Sequence, residues 1–319
     1  MDYHGLVFKF PVNCPLTEWE TRRRVHQNKP ESVMPWGEHS VIKMNSTYLE
    51  VVDKFFGGKG FISAVCLMII GIAVFFAGAM IFQTIDLWAE RTPDNQRASL
   101  YLLAFVLVGF TGLIVWVGNG LRREVFSYTH YPIRFNRKNR MVYVTRINGT
   151  VMAESWDRLV FSQSQCGDDE TRDIRGHRMA EDGETVLESF ALPGGAGGEI
   201  ASPYFFAFWE FARRYMEDGP KELMDKVDLV VDVEHRREKF TTGFYRLMLL
   251  IPSFLWPLMF PLILWLALGR LAAMQTSKIP HWPDEVEDEC QIEADDPYLI
   301  DAEHLPEETD FSWWKGRRR

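Results

Sequence analysis

The chain has 319 residues, 47% of them hydrophobic and 25% charged, with a formal net charge of −9. That length allows one large or two modest domains, and the average composition alone would pass for a soluble protein. The distribution excludes that reading: the apolar residues gather into three runs with charges between them, as in a membrane protein with substantial aqueous parts, and thirteen acidic residues without a basic one fall between Asp284 and Asp310, leaving a body of net +4.

In chain order, the opening MDYHGLVFKFPVNCP has no basic stretch followed by an apolar one. No cleavable leader is predicted, and insertion is expected to rely on internal segments. FFGGKG, Phe55 to Gly60, lacks the spacing and the Ser or Thr of a phosphate-binding loop, so it reads as a flexible entry to the first apolar run with Lys59 at the interface. From Phe61 to Gln83 there is no charge over 23 positions, more than the roughly 20 that cross a hydrocarbon core. Ser99 to Leu121 is likewise uncharged, and the short separation predicts an antiparallel hairpin, with Trp88, Tyr101 and Trp116 near its ends. Ala73, Ala77 and Gly78 give the first helix a patch of small residues, which suits a close neighbour or plain lipid.

Basic residues set the orientation. Arg22, Arg23, Arg24, Lys43, Lys54 and Lys59 precede the first run, and Arg122, Arg123, Arg134, Arg137, Lys138 and Arg140 follow the second. The connecting loop has only Arg91 and Arg97 against Asp86, Glu90 and Asp94. The positive-inside rule predicts a cytoplasmic N-terminus and central region, with the loop outside. Arg122, Arg123, Arg134, Arg137, Lys138 and Arg140 are also the candidate contacts to anionic lipid headgroups, worth about 1 kcal/mol each near a surface; the positive-inside rule alone would place them there too.

From about Glu124 the pattern turns to strands. PIRF and MVYVTRI alternate apolar and polar residues around NRKNR, and Asn148-Gly149 predicts a tight hairpin with both turn residues at positive φ. RGHRMAEDGETVLESFAL predicts a second hairpin about Asp182-Gly183. His177, Asp168, Asp169 and Asp173 read as a solvated loop rather than a metal or acid–base group. PGGAGG, Pro193 to Gly198, reads as a loose connection rather than a nucleotide site. In PYFFAFWEFARRYMEDGP, Ser202 is a candidate N-cap with Pro203 at the first helical position, Phe205, Phe208, Trp209 and Tyr215 recur at helical spacing, and Gly219-Pro220 stops the helix. Strands followed by one amphipathic helix give the layout of a pleckstrin-homology-like (PH-like) domain, a fold-level analogy that confers no function.

The third run, Tyr245 to Gly269, contains Pro252, Pro257 and Pro261. It is expected either to re-enter as a shallow hairpin, the preferred reading because basic residues flank both ends, or to cross once as a kinked helix. The acidic tail carries Trp282, Val286, Ile292, Tyr298, Leu299, Trp313 and Trp314. That is too many anchors for a purely solvating tail, and packing on its own domain is favoured over binding a basic partner. Cys14, Cys66, Cys166 and Cys290 are widely scattered, and no pair has zinc or redox spacing, so reduced thiols are expected; His281, Cys290 and His304 do not form a zinc motif.

As a series, the apolar hairpin, YPIRFNRKNRMVYV with the downstream Trp156-Asp157, ETVLESFAL, FWEFARRYMEDGP, the proline-broken run and TSKIPHWPDEVEDEC resemble an uncharacterised family of proteobacterial membrane proteins, a domain of unknown function often encoded near type VI secretion and Rhs effector genes. The resemblance covers most of the chain from about Met34 and carries no catalytic residue. It implies an inner-membrane immunity or accessory factor of a secreted-toxin system.

The expectation from the sequence is therefore an α+β membrane protein: a cytoplasmic segment 1–60, a transmembrane helical hairpin 61–121, a cytoplasmic PH-like antiparallel β domain with a C-terminal helix 122–240, a proline-broken hairpin or third transmembrane helix 241–274, and an acidic tail 275–319. No nucleophile elbow or zinc-protease motif occurs, so no enzyme and no cofactor is expected. Expected partners are membrane lipids and a secreted effector or secretion component, not nucleic acid. The alternative is a membrane-tethered PH-like module that binds anionic lipid or scaffolds another membrane protein. A channel or transporter is disfavoured because neither long span contains an ionisable residue.

Overall fold

The computed structural model describes residues 10–166, 171–194, 205–249 and 251–304. The chain divides into a β unit, drawn from Met1–Phe56, Tyr128–Arg237 and Ile279–Arg319, and a helical unit, drawn from Gly57–Ser127 and Glu238–Lys278. Each unit is discontinuous in sequence.

One antiparallel sheet of the β unit is a meander of β3 (Val41–Met44), β4 (Tyr48–Val51), β5 (Ile133–Asn136), β6 (Met141–Thr145) and β7 (Val151–Ser155). β4 and β5 are direct neighbours, with Tyr48 opposite Asn136 and Val51 opposite Ile133. Both long apolar runs therefore lie inside what would otherwise be a single β-hairpin. NRKNR forms the β5–β6 turn: the Asn136 side-chain oxygen accepts from the backbone N–H groups of Lys138 and Asn139, and Arg140 closes the turn at φ 56°. At the β6–β7 turn the N–H of Arg146 donates to the carbonyl of Thr150, and Gly149 (φ 83°) alone of Asn148-Gly149 is left-handed. The loop holds three residues rather than two, so only its last position needs positive φ, which corrects the expected turn.

The second sheet has the order β1-β10-β9-β8-β2, built on β8 (Val160–Cys166), β9 (Thr171–Met179) and β10 (Thr185–Ala191). Asp182-Gly183 turns β9 into β10 as expected, with Gly183 at φ 69° and Asp182 accepting from the N–H groups of Glu184 and Thr185. β1 (Cys14–Pro15) pairs with β10 at one edge and β2 (Arg24–Val25) with β8 at the other, and α1 (Glu18–Arg22) lies between them in sequence. The N-terminal segment is thus shared between both sheets.

α4 (Ala207–Glu217) supplies Phe208, Trp209, Phe211 and Tyr215 to the core, where Trp209 stacks on Trp156 at 5.7 Å and meets Phe161 at 4.7 Å. Trp156 is fully buried, and its indole N–H donates to Glu217 at 2.7 Å. Gly219, at φ 95°, and Pro220 end the segment as expected. The expected cap Ser202-Pro203, together with Asp168, Asp169 and most of PGGAGG, lies outside the described residues.

In the helical unit, α2 (Phe61–Asp86) and α3 (Pro93–Glu124) run antiparallel. Glu124 at the end of α3 caps the start of α2, accepting from the N–H groups of Gly60 (2.7 Å) and Ser63 (2.6 Å) and from the Ser63 hydroxyl (2.5 Å). Lys59 is buried, with its ammonium on the Ser127 hydroxyl at 3.1 Å, and the entry Lys54–Gly58 is a 3-10 turn. Of the three small residues on α2, only Ala73 is buried. Phe75, Phe82, Phe105 and Trp116 are each at least 70% exposed.

The third run forms two helices. α5 (Phe240–Leu249) and α6 (Trp256–Thr276) pack antiparallel, with Glu238 bonded to Arg270 at 2.5 Å and Phe244 5.8 Å from Phe260. At the break, the Trp256 indole N–H points at the carbonyls of Met248 and Ile251. Pro252 precedes α6, Pro257 sits in its first turn, where an N–H has no helical partner in any case, and only Pro261 interrupts its bonding. By length and composition, three helical stretches can span a membrane: those within Lys54–Asp86, Pro93–Arg122 and Ser253–Thr276.

Candidate functional site

The basic residues singled out from the sequence differ in their surroundings. Arg134, on central strand β5, is buried. Its guanidinium bonds Glu50 at 2.7 Å and Glu287 at 3.1 Å and lies between the rings of Tyr48 (4.3 Å) and Trp282 (4.8 Å). Burial alone would lower its pKa, but Glu50, Tyr48 and Glu287 outweigh that and hold it fully charged. Lys138 is exposed and bonds Glu293 at 2.7 Å; Arg140 bonds Asp157 at 2.6 Å and Glu217 at 3.0 Å. Arg137 is half-buried below Gly219. Arg122 is exposed at the end of α3, and of Arg123 only the backbone is described. Arg134, Lys138 and Arg140 are thus engaged by carboxylates.

The partner carboxylates of Arg134 and Lys138 come largely from the acidic tail, which packs on its own domain as favoured from the sequence. The Trp282 indole donates to Glu50 at 3.0 Å, and α7 (Asp284–Glu289) brings Val286 and then Cys290 against Tyr48 and Tyr143. The Tyr143 hydroxyl bonds Glu289, Asn136 donates to the Glu289 carbonyl, Ser46 bonds Asp296, and Ile300 pairs with Met44. Burial raises the pKa values of Tyr48, Tyr143 and the Cys290 thiol.

A second constellation was not anticipated. His177 and Asp173, read from the sequence as loop residues, are buried on β9. Strand alternation puts Ser162 and Ser164 of β8, Asp173, Arg175 and His177 of β9 and Ser189 of β10 on one face, while Phe161, Ile174 and Phe190 join the core on the other. The ring of His177 bridges Ser162 (2.9 Å) and Ser189 (2.8 Å), Ser162 lies 3.3 Å from Ser164, and Ser164 donates to Glu20 of α1 at 2.7 Å. Burial brings His177 down to about 4, against the pull of Glu20, so the imidazole is neutral. Burial pushes Glu20 up, but hydrogen bonds from Ser164 and Thr17 prevail and keep it ionised. Asp173 pairs with Arg175 and Lys54, both at 2.8 Å. Glu38 and His39 are consecutive left-handed residues, φ 50° and 54°, and burial raises Glu38 to about 7, with Lys54 opposing.

Chemically, the constellation is a hydroxyl–imidazole–carboxylate network sealed from solvent by the N-terminal arm. Ser162, Ser164, His177 and Ser189 are all buried in it. Among the described residues, no group of three or more His, Cys, Asp or Glu side chains is placed to hold a metal.

The family model described as a family of unknown function, DUF6708, matches residues 111–294, more than half of the chain. The chain belongs to the DUF6708 family. The matched stretch begins within α3 and includes β5–β10, α4, the α5–α6 pair and α7. No curated protein and no solved structure matches.

Proposed function

We propose that this DUF6708 protein is a non-enzymatic binding protein of the bacterial inner membrane, held by the α2–α3 hairpin and by a re-entrant α5–α6 hairpin, that presents its β unit on the cytoplasmic side. The reading rests above all on one observation. Arg134, which precedes α5–α6 in the chain, is bonded to Glu287, which follows it, inside one folded unit. A polar unit lies on one side of a bilayer, so a segment that leaves it at residue 238 and returns by 278 cannot cross an odd number of times. The antiparallel α5–α6 packing fits the re-entrant alternative: α5, about 15 Å long at 1.5 Å per residue, falls well short of a core about 30 Å thick. The basic residues around α2 and α3 support the cytoplasmic side.

In this reading the β unit is a PH-like module in which β4–β10 and α4 supply the strand-then-helix order, and the membrane hairpin is inserted between its first two strands. Its role is that of an immunity or accessory factor of a type VI secretion or Rhs toxin system, a role that rests on the family resemblance.

The test is affinity capture from detergent-solubilised native membranes with mass-spectrometric identification, followed by co-expression with the neighbouring effector gene. Recovery of an effector or secretion component in near-equal amount, and rescue of growth, are the expected results. Capture of the protein alone together with continued killing would overturn the reading.

A further inference from the structure

We infer that the N-terminal arm, Asn13 to Val25, is an exchangeable occupant of a docking surface, and that the edges of β8 and β10 with the seam between them receive an extended segment of a partner protein bearing an acidic residue. The inference deepens the binding-protein reading by naming its surface and the chemistry of its partner.

The arm crosses one face of a three-stranded meander and touches both of its edges. At the β10 edge, Cys14 and Pro15 lie opposite Val186 and Thr185, and Asn13 N–H donates to the Val186 carbonyl at 2.8 Å. At the β8 edge, Arg24 and Val25 lie opposite Ser162 and Phe161, and Gln163 N–H donates to the Arg23 carbonyl at 3.0 Å. Each attachment is a two-residue strand. Without the arm, two strand edges would present unpaired backbone groups, the template on which extended peptides add as a further strand.

Between the edges, α1 closes on itself: the Thr17 hydroxyl accepts from Glu20 N–H, and the Glu20 carboxylate accepts from Thr17 N–H in return. The arm thus carries its own helical turn and meets the hydroxyls of the seam through the carboxylate of Glu20 on Ser164, behind which stand Ser162, the neutral His177 and Ser189, while Trp19 lies under Arg172 of β9 and Val25 enters the core. Arg175 and Lys54 give the same strand face two cations to the one charge of Asp173. The seam is suited to a carboxylate whoever supplies it.

The experiment uses the full chain in detergent micelles with a protease site inserted between Gln27 and Asn28. After cleavage, a labelled peptide of residues 10–27 is added in excess, alongside the same peptide carrying Glu20→Gln. Saturable entry of the labelled peptide, with the thermal transition of the remainder retained and binding about tenfold weaker for the Gln peptide, is expected. An arm that does not exchange after cleavage, or whose release abolishes the transition, overturns the inference. So does equal binding of the two peptides.

A second variant, Val186→Cys, places a thiol opposite Cys14, so that oxidation ties the arm to β10. The oxidised chain should lose any partner recovered by affinity capture, and reduction should restore it. Equal capture by both forms refutes the docking surface while leaving the binding reading intact; an empty capture with successful peptide exchange does the reverse.

Discussion

Two segments of the β unit, 13–25 and 282–300, each cover one of its sheets, and they do so differently. The acidic segment is locked onto β4–β6 by a buried guanidinium held between two aromatic rings and two carboxylates, with Val286, Cys290 and Ile300 packed beside it. The N-terminal arm is held at its margins by two-residue strands, one of which places Val25 in the core, and at its centre by the Glu20–Ser164 bond and the Arg172 guanidinium over the Trp19 ring. A cover locked by a buried ion pair and several packed side chains is part of the fold, whereas a cover held by two short strands, one carboxylate–hydroxyl bond and a single core side chain, Val25, is expected to leave while the sheet stays.

The contrast breaks most readily at Arg134. Arg134→Met leaves Glu50 buried without its cation, and a loss of about 3–5 kcal/mol is expected, read as a lower denaturant midpoint in tryptophan fluorescence with faster labelling of the buried Cys290 thiol. A change under about 1 kcal/mol would show that the acidic segment is no better anchored than the arm. Glu20→Gln should cost about 1–3 kcal/mol of arm attachment, speeding labelling of Cys14 while leaving Cys290 protected; parallel changes at both thiols would mean that the two covers open together.

Glu38 sharpens the comparison through pH. Its folded pKa, about 7, stands above the ordinary 4.5, so the folded state binds more protons than the unfolded state between those values. Stability present below pH 4.5 therefore falls as pH rises toward 7, by at most about 1.4 kcal/mol per pH unit from this group. Glu38→Gln should flatten that slope in melting curves taken across the window, and an unchanged slope would place the titration elsewhere. The smallest effect is expected at Lys138, whose bond to Glu293 is exposed: Lys138→Ala should shift the midpoint by less than about 0.5 kcal/mol.

Much of this was legible in the sequence because it is local. The uncharged runs gave α2 and α3, Asp182-Gly183 gave a hairpin, and the aromatic spacing at Phe208, Trp209 and Tyr215 gave α4. The aromatic anchors Trp282 and Val286 pointed to a tail that packs on its own domain. What failed was non-local. Nothing in β4 announces that its partner β5 lies beyond two membrane helices, and nothing in NRKNR or its neighbours says which carboxylates will neutralise Arg134 and Lys138. His177 and Asp173 read as loop residues because the stretch around them is the most polar and least patterned of the β region. A sheet face covered by hydroxyls, imidazole and paired charges lacks the apolar stripe by which a buried strand is recognised. The one available clue was the run of Ser162, Ser164 and Ser189 with His177, all strand-compatible positions near apolar neighbours.

The central claim is that one folded β unit, closed across the α5–α6 hairpin, stands on a single side of the membrane. It is tested most directly by single cysteines at Glu90, Asn148 and Gln291 in a chain whose native cysteines are replaced, each probed with a membrane-impermeant maleimide in intact cells and in inside-out vesicles. The account predicts labelling of Asn148→Cys and Gln291→Cys only in inside-out vesicles, and of Glu90→Cys only in intact cells. Labelling of Gln291→Cys from the same side as Glu90→Cys would contradict it.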